Sequence, residues 1–382
     1  MFLYNILQSI LAAATFSYGI NILRKTGVNL KLRFLITIFY GLLPLFPGFF
    51  YTLLKDSMYA VFTTLFVFLL IDYFIDKEAF IQSKYKEYIL MSSILLMCLL
   101  RKNGLYVAAI TAVIMQLKEK YRKNIFLWFI MPLLIFITFN YGITKILMIP
   151  DGSLAESMCI PFQQTARYVR DYENEITEEE RRAIDAILDF ESIGNNYNPD
   201  LSDPVKSTYK EEAGKEEWLN YLSIWLKDFF KHPRSYVDAT FANTYGYYYP
   251  LSKLMGEKGF YYIADIENIN NQYDFFYSNK AAENIRNAIN RMIEAIDNVP
   301  IIGLLYEPGI YTWAVFCILF IQIRRKTLSI KIYVPILVSI LVCIASPVNA
   351  YLRYFLPVIA LVPILIGLQF YRESGNRIEK LI

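Results

Sequence analysis

Residues 86–117 read KEYILMSSILLMCLLRKNGLYVAAITAVIMQL, two apolar runs joined by the basic turn Arg101-Lys102-Asn103. The runs hold about 15 and about 13 residues. At about 1.5 Å per residue each spans roughly 20 Å, short of a hydrocarbon core near 30 Å. A turn between two such helices falls below the bilayer surface, so this stretch predicts a membrane-embedded helical pair with a polar turn. Similar apolar stretches lie at residues 2–23, 34–54, 58–75, 125–148, 301–323, 332–348 and 354–371. Together they predict about nine transmembrane helices.

Composition agrees. The 382 residues are 55% hydrophobic and 16% aromatic with 19% charged, and mean hydropathy is +0.32. A net charge of +3 gives no basic stripe for nucleic acid. Cys98, Cys317 and Cys343 lie in apolar runs and Cys159 stands apart, so neither a disulfide framework nor a thiolate metal site is available. No Gly-rich phosphate loop occurs, which speaks against a nucleotide-driven reaction.

The predicted fold is an all-α polytopic membrane bundle with one large, mainly helical extracytoplasmic insertion. It divides into helices 1–6 over residues 1–148, the insertion at 149–300, and helices 7–9 with a cytoplasmic tail at 301–382. Basic residues alternate between connections. One set holds Arg24, Lys25, Lys31 and Arg33, then Lys77, Lys84 and Lys86, then Lys118, Lys120, Arg122 and Lys123, then Arg324, Arg325, Lys326 and Lys331, and finally Arg372, Arg377 and Lys380. The other short set has only Lys55, Arg101, Lys102 and Arg353. By the positive-inside rule the first set is cytoplasmic and the insertion lies outside. Arg24 and Lys25 follow the first apolar run, so it reads as a spanning helix instead of a secretory signal. Nine spans with a cytoplasmic C-terminus place the N-terminus outside. The expectation is therefore a reading frame truncated before residue 1, or a re-entrant pair among the short spans. The Ile, Lys, Asn and Tyr bias fits a bacterial plasma membrane protein.

Within the insertion, Thr177 to Glu180 form a capping-box pattern that opens a polar helix with Ile184, Ile187 and Leu188 on one face. Trp218, Tyr221, Leu222, Trp225, Leu226 and Phe229 recur at helical spacing. A core stripe and a helix lying at the membrane interface both fit that pattern. His232, the sole histidine, stands before Pro233 at the helix end, a place that suits structure better than acid–base chemistry.

Polar groups near membrane depth carry the chemical signal, because each costs about 2.5–3.5 kcal/mol at a helix centre unless paired or solvated. They fall in three outer turns: Lys55 and Asp56; Arg101, Lys102 and Asn103; Arg353 and Tyr354. A guanidinium below the surface is compensated by a phosphate, although snorkelling basic side chains at a helix end fit the same pattern. Asp56 is the only carboxylate in these turns. It reads either as a general base or acceptor-orienting group, or as the partner of Lys55 at the water boundary.

The segments TLLKDSMY, LLRKNGLY, IPFQQTARYV, HPRSYVDATFANTYGYYYP and SPVNAYLRYFLPVIA resemble bacterial membrane proteins allied to the GT-C class of glycosyltransferases. That resemblance implies transfer of a sugar, with inversion, from a polyprenyl-phosphate donor to a glycan or lipid-linked acceptor on the outer face. It implies lipid-phosphate contacts for Arg101 and Arg353, with Lys55 beside them. Substrate contacts are expected at Gln163, Gln164 and Arg167, with Asn103 and Tyr354 in the neighbouring turns. The class usually carries its catalytic acid in a first external loop that has no matching position here, which leaves Asp56 as the catalytic candidate. No metal ligands are assigned, and the class leaves a divalent metal open. The competing readings are a transporter or flippase of lipid-linked sugars, and a non-catalytic envelope-assembly protein.

Overall fold

A computed structural model describes residues 2–148, 153–251, 302–346 and 348–371, with isolated positions between 284 and 299. The expected cytoplasmic tail and most of the last third of the expected insertion lie outside the described residues. Those described are helical throughout, with no strand and two isolated β-bridges, Leu188 to Tyr209 and Leu201 to Val348. The helices are α1 (Phe2–Lys25), α2 (Leu30–Leu42), α3 (Leu45–Phe50), α4 (Lys55–Ile75), α5 (Lys77–Gln82), α6 (Lys84–Leu100), α7 (Asn103–Met115) and α8 (Arg122–Ile146). Then follow α9 (Cys159–Tyr172), α10 (Glu178–Asp185), α11 (Phe190–Ile193), α12 (Asp203–Lys206), α13 (Lys215–Lys231) and α14 (Pro233–Thr244). The last are α15 (Pro308–Arg325), α16 (Tyr333–Ile344) and α17 (Leu352–Leu368). Three helices, Leu3–Lys25, Lys55–Ile75 and Arg122–Ile146, are long and apolar enough to cross a bilayer. Asn103–Met115, Ile330–Ile344 and Leu352–Leu368 are shorter apolar helices.

The chain divides into two compact units. One comprises Met1–Tyr141, Glu257–Leu341 and Tyr351–Ile382; the other Gly142–Gly256 and Val342–Ala350. The first unit is organised around α4, which is apolar on all sides and buried along nearly its whole length, as a helix surrounded by others must be. It packs on α1, α6 and α17. Gly19 brings α1 against α4: a Cβ there would stand 2.7 Å from the Phe68 ring. Tyr40 of α2 donates from its hydroxyl to the Ala360 carbonyl of α17 at 2.6 Å, so its polar end is satisfied inside the bundle. Along α8, by contrast, Phe126, Leu127, Leu134, Ile135 and Phe139 are exposed, an apolar face suited to lipid.

The apolar stretch at 34–54 is not one helix. It breaks between α2 and α3 at Leu43–Pro44, because proline has no N–H to continue the ladder and pushes its predecessor to extended backbone; Leu43 stands at ψ 114°. The freed carbonyls beyond α3 are met by Gln8 of α1, whose amide donates to Phe50 O and Thr52 O at 2.9 Å each.

The second unit has its own core, in which Phe162, Ile184, Ile187, Leu188, Ile193, Val205 and Tyr221 are buried. The capping box at Thr177 and Glu180 is formed. On α13 the expected stripe divides. Tyr221 is buried with Trp218 and Leu222 packed beside it, whereas Leu226 is exposed in line with Leu219 and Phe230. His232 stacks on Tyr172, ring centroids 3.8 Å apart, with Nε2 3.0 Å from Glu175. The segment Val342–Ala350 belongs to this unit through Asn349. Its side chain donates to Asp200 and to the Ala242 carbonyl at 3.1 Å each, and accepts from the Gly246 N–H at 3.0 Å.

Candidate functional site

Asp56 occupies the first turn of α4, where the positive end of the helix dipole favours a carboxylate. Two other elements of the same unit bring cations to it. Arg101 closes α6 in extended backbone, φ −145° and ψ 133°, which ends the helix and turns the chain into α7. Gly104 lets α7 return closely along α6: a Cβ there would meet the Met97 carbonyl oxygen at 2.6 Å. Arg353 lies in the first turn of α17, three residues after Ala350, which is held in the left-handed region at φ 51°. A non-glycine residue in that region is strained by roughly 1 kcal/mol or more.

Arg101 Nη1 lies 2.9 Å from Asp56 Oδ1, and Arg353 Nε lies 3.5 Å from Oδ2. The side chains are 15%, 7% and 28% exposed for Arg101, Asp56 and Arg353, so the three charges are largely withdrawn from water. Neither contact is a well-aligned hydrogen bond: Asp56 Oδ1 and Arg353 Nε are buried with no aligned partner. Aromatic faces surround the guanidiniums. The Arg101 guanidinium carbon stands 4.1 Å from the Tyr354 ring and 5.6 Å from Tyr59, and that of Arg353 stands 4.3 Å from Tyr351. Two cations and one carboxylate leave the cluster with one formal positive charge.

The structure therefore brings together Asp56, Arg101, Arg353 and Tyr354. Lys55 is exposed and forms no ion pair among the described residues, so the partners of Asp56 are the two arginines. Asn103 begins α7 and is half-buried. Gln163, Gln164 and Arg167 are engaged within the second unit. Gln163 donates to the Asn198 carbonyl at 2.8 Å; Gln164 donates to Thr240 at 2.8 Å and accepts from Trp225 at 3.1 Å. Arg167 faces Asp171 at 3.3 Å and Asp238 at 3.5 Å. All three side chains thus have partners inside their own unit. No group of three or more metal-ligating side chains exists among the described residues, and Asp56 faces guanidiniums, which do not fit a divalent cation.

Two further charged nodes escape a reading of the sequence by turns. Near the other end of α4, Asp72 takes Lys86 at 2.6 Å, Lys25 at 3.3 Å and the Tyr18 hydroxyl at 2.6 Å. Beside it Glu119, in the turn between α7 and α8, takes Lys77 at 2.8 Å, Lys331 at 3.0 Å and the Tyr73 hydroxyl at 3.2 Å. Burial works to raise the Glu119 carboxyl, but the hydrogen bonds from Lys77 and Lys331 outweigh it and hold it below the usual range. The available signal was Asp72 itself, a carboxylate inside the apolar run FLLIDYFI that demands a partner.

The chain belongs to a family of unknown function (DUF6020), whose model matches residues 1–381. No curated protein and no solved structure matches it.

Proposed function

We propose that this DUF6020 member is a membrane glycosyltransferase that holds the phosphate of a polyprenyl-phosphate-linked sugar between Arg101 and Arg353 and passes the sugar to a glycan or lipid-linked acceptor. The supporting observation is the convergence of two largely buried guanidiniums, from the α6–α7 turn and the start of α17, on one carboxylate. A planar guanidinium binds two phosphate oxygens at once, and a cluster with an excess of positive charge suits an anion withdrawn from water. In this reading about nine helices cross the bilayer. The site and the 149–300 insertion face outward, and residues 372–382 face the cytoplasm, as the distribution of basic residues suggests. Arg101 closes α6 and meets Asp56 in the first turn of α4, which supports a site near one end of the spanning helices, where a lipid phosphate is found. Tyr59, Tyr351 and Tyr354 stand against the two guanidiniums with the amphipathic rings favoured at a membrane interface.

The test is transfer from a polyprenyl-phosphate sugar in membranes carrying Arg101→Ala. A loss of about 10²-fold or more is expected, as for other charge-stabilising donors. Arg101→Lys should recover little of it, because a point charge replaces a fork. Transfer equal to wild type would remove the phosphate role.

A second reading, a flippase of lipid-linked sugars, is favoured by one observation: α4 carries a carboxylate held by two cations near each of its ends. Paired ionic contacts on opposite sides of a bundle are what alternating access would break in turn. Movement of labelled lipid across proteoliposomes without any acceptor would support it against transfer.

A further inference from the structure

We infer that Asp56 is an internal anion that occupies the seat of a lipid phosphate between Arg101 and Arg353 and is displaced when the phosphate binds. The inference rests on the phosphate-site reading above and adds a role for the carboxylate that is not catalytic. A general base needs an oxygen free to receive a proton from a reacting hydroxyl. Both Asp56 oxygens instead face guanidiniums, Oδ1 2.9 Å from Arg101 Nη1 and Oδ2 3.5 Å from Arg353 Nε.

The same contacts are those expected of a stand-in. Two guanidiniums drawn together with little water repel each other, so the empty site needs an anion between them. A carboxylate is planar with two oxygens and carries one charge; the lipid phosphate left after transfer is a monoester with more charge and a third free oxygen, whereas the sugar-bearing donor is a diester with one charge. Oδ1 of Asp56 and Nε of Arg353 reach no aligned partner, so the carboxylate fills the seat without satisfying it. A better acceptor gains what this geometry leaves unmade. Asp56 is the second residue of α4, beside exposed Lys55, so its displacement needs only a change at a helix end and not within the packed length of α4. Phosphate affinity is thereby reduced by the competition, which eases release of the lipid phosphate after each turnover.

The experiment uses the full chain in nanodiscs and measures binding of a short isoprenyl phosphate, the matching isoprenol, and inorganic phosphate as competitor. Asp56→Asn should bind the isoprenyl phosphate about ten-fold tighter than wild type, equivalent to about 1.4 kcal/mol. Isoprenol binding should not change, and Arg101→Ala should weaken only the phosphate ligand. Because Asp56→Asn leaves two cations facing each other, the comparison is repeated in an Arg353→Gln background. There the added Asp56→Asn change should again tighten binding.

Unchanged or weaker phosphate binding in both backgrounds, with Arg101→Ala still impaired, overturns the stand-in role while the phosphate site survives. If transfer is lost as well, Asp56 is a base. Equal affinity for isoprenyl phosphate and isoprenol in every variant would defeat the phosphate site itself. Displacement of the lipid by equimolar inorganic phosphate would assign the seat to the free ion and overturn the lipid part.

Discussion

Asp56 and Asp72 stand on one helix, roughly 24 Å apart along its axis at about 1.5 Å per residue, and each is held by two cations from other elements. The same partner helix supplies a cation to both: Lys86 in the first turn of α6 meets Asp72, and Arg101 at its C-terminal cap meets Asp56. The α4–α6 pair is thus pinned near its two ends, with apolar packing between. Arg353 ties α17 to one end, and Lys25 ties α1 to the other.

Asp72→Asn should destabilise the bundle. It strips the carboxylate from Lys86, whose side chain is 12% exposed, and from Lys25, which at 42% is better able to reach water. The expected loss is about 3 kcal/mol, the low end for breaking a buried pair, because Lys25 is partly solvated. Adding Lys86→Met removes the stranded cation and should recover part of the loss. Denaturant or thermal unfolding of the purified chain in detergent measures both; an Asp72→Asn chain as stable as wild type would show that the node carries no net stability.

Asp228 of α13 should make the second unit less stable as pH rises. Burial pushes its carboxyl up to about 7, and the nearby charge of Glu180 adds to the shift, against the opposing pull of Lys231 and Lys227. One of its oxygens is buried with no aligned partner. The folded-state value lies above the ordinary 3.8, so between roughly 4 and 7 the folded chain binds the extra proton, and stability falls across that window. Glu180 runs the other way. The Thr177 N–H and Lys231 hold it low against its own burial, so its contribution is lost on acidification. Unfolding at a series of pH values should show the fall, and Asp228→Asn should flatten it. An unaltered slope in that variant would assign the dependence to other groups.

Orientation is open to cysteine labelling, since of the native cysteines Cys317 is exposed while Cys98, Cys159 and Cys343 are buried. In a Cys317→Ser background, Glu211→Cys and Arg324→Cys place thiols at two exposed positions. A membrane-impermeant maleimide applied to intact cells should label position 211 directly and position 324 only after permeabilisation. The reverse pattern would invert the chain and end the outer-face mechanism.

The amino-acid sequence by itself determined what depends on neighbours along the chain. Apolar length set the helices, and the basic turn of LLRKNGLY fell between α6 and α7 because Arg101, Lys102 and Asn103 interrupt two runs too apolar to end elsewhere. The capping box at Thr177 is equally local. The 34–54 stretch, expected as one span, breaks instead at Pro44, and that proline was the local signal for it, since a missing N–H acts within one turn. The tertiary structure alone decided which charges meet. Asp56 lies beside Lys55 in sequence yet pairs with Arg101 and Arg353, and Asp72 finds Lys25 and Lys86 on two other helices. Gln163 and Gln164 carry the same amide yet are spent on the distant Asn198, Thr240 and Trp225. The physical reason is the reach of each force: helix formation is fixed over a few residues by backbone hydrogen bonds and apolar periodicity. A buried charge instead takes whichever opposite charge packing delivers within about 4 Å, and no spacing along the chain encodes that distance.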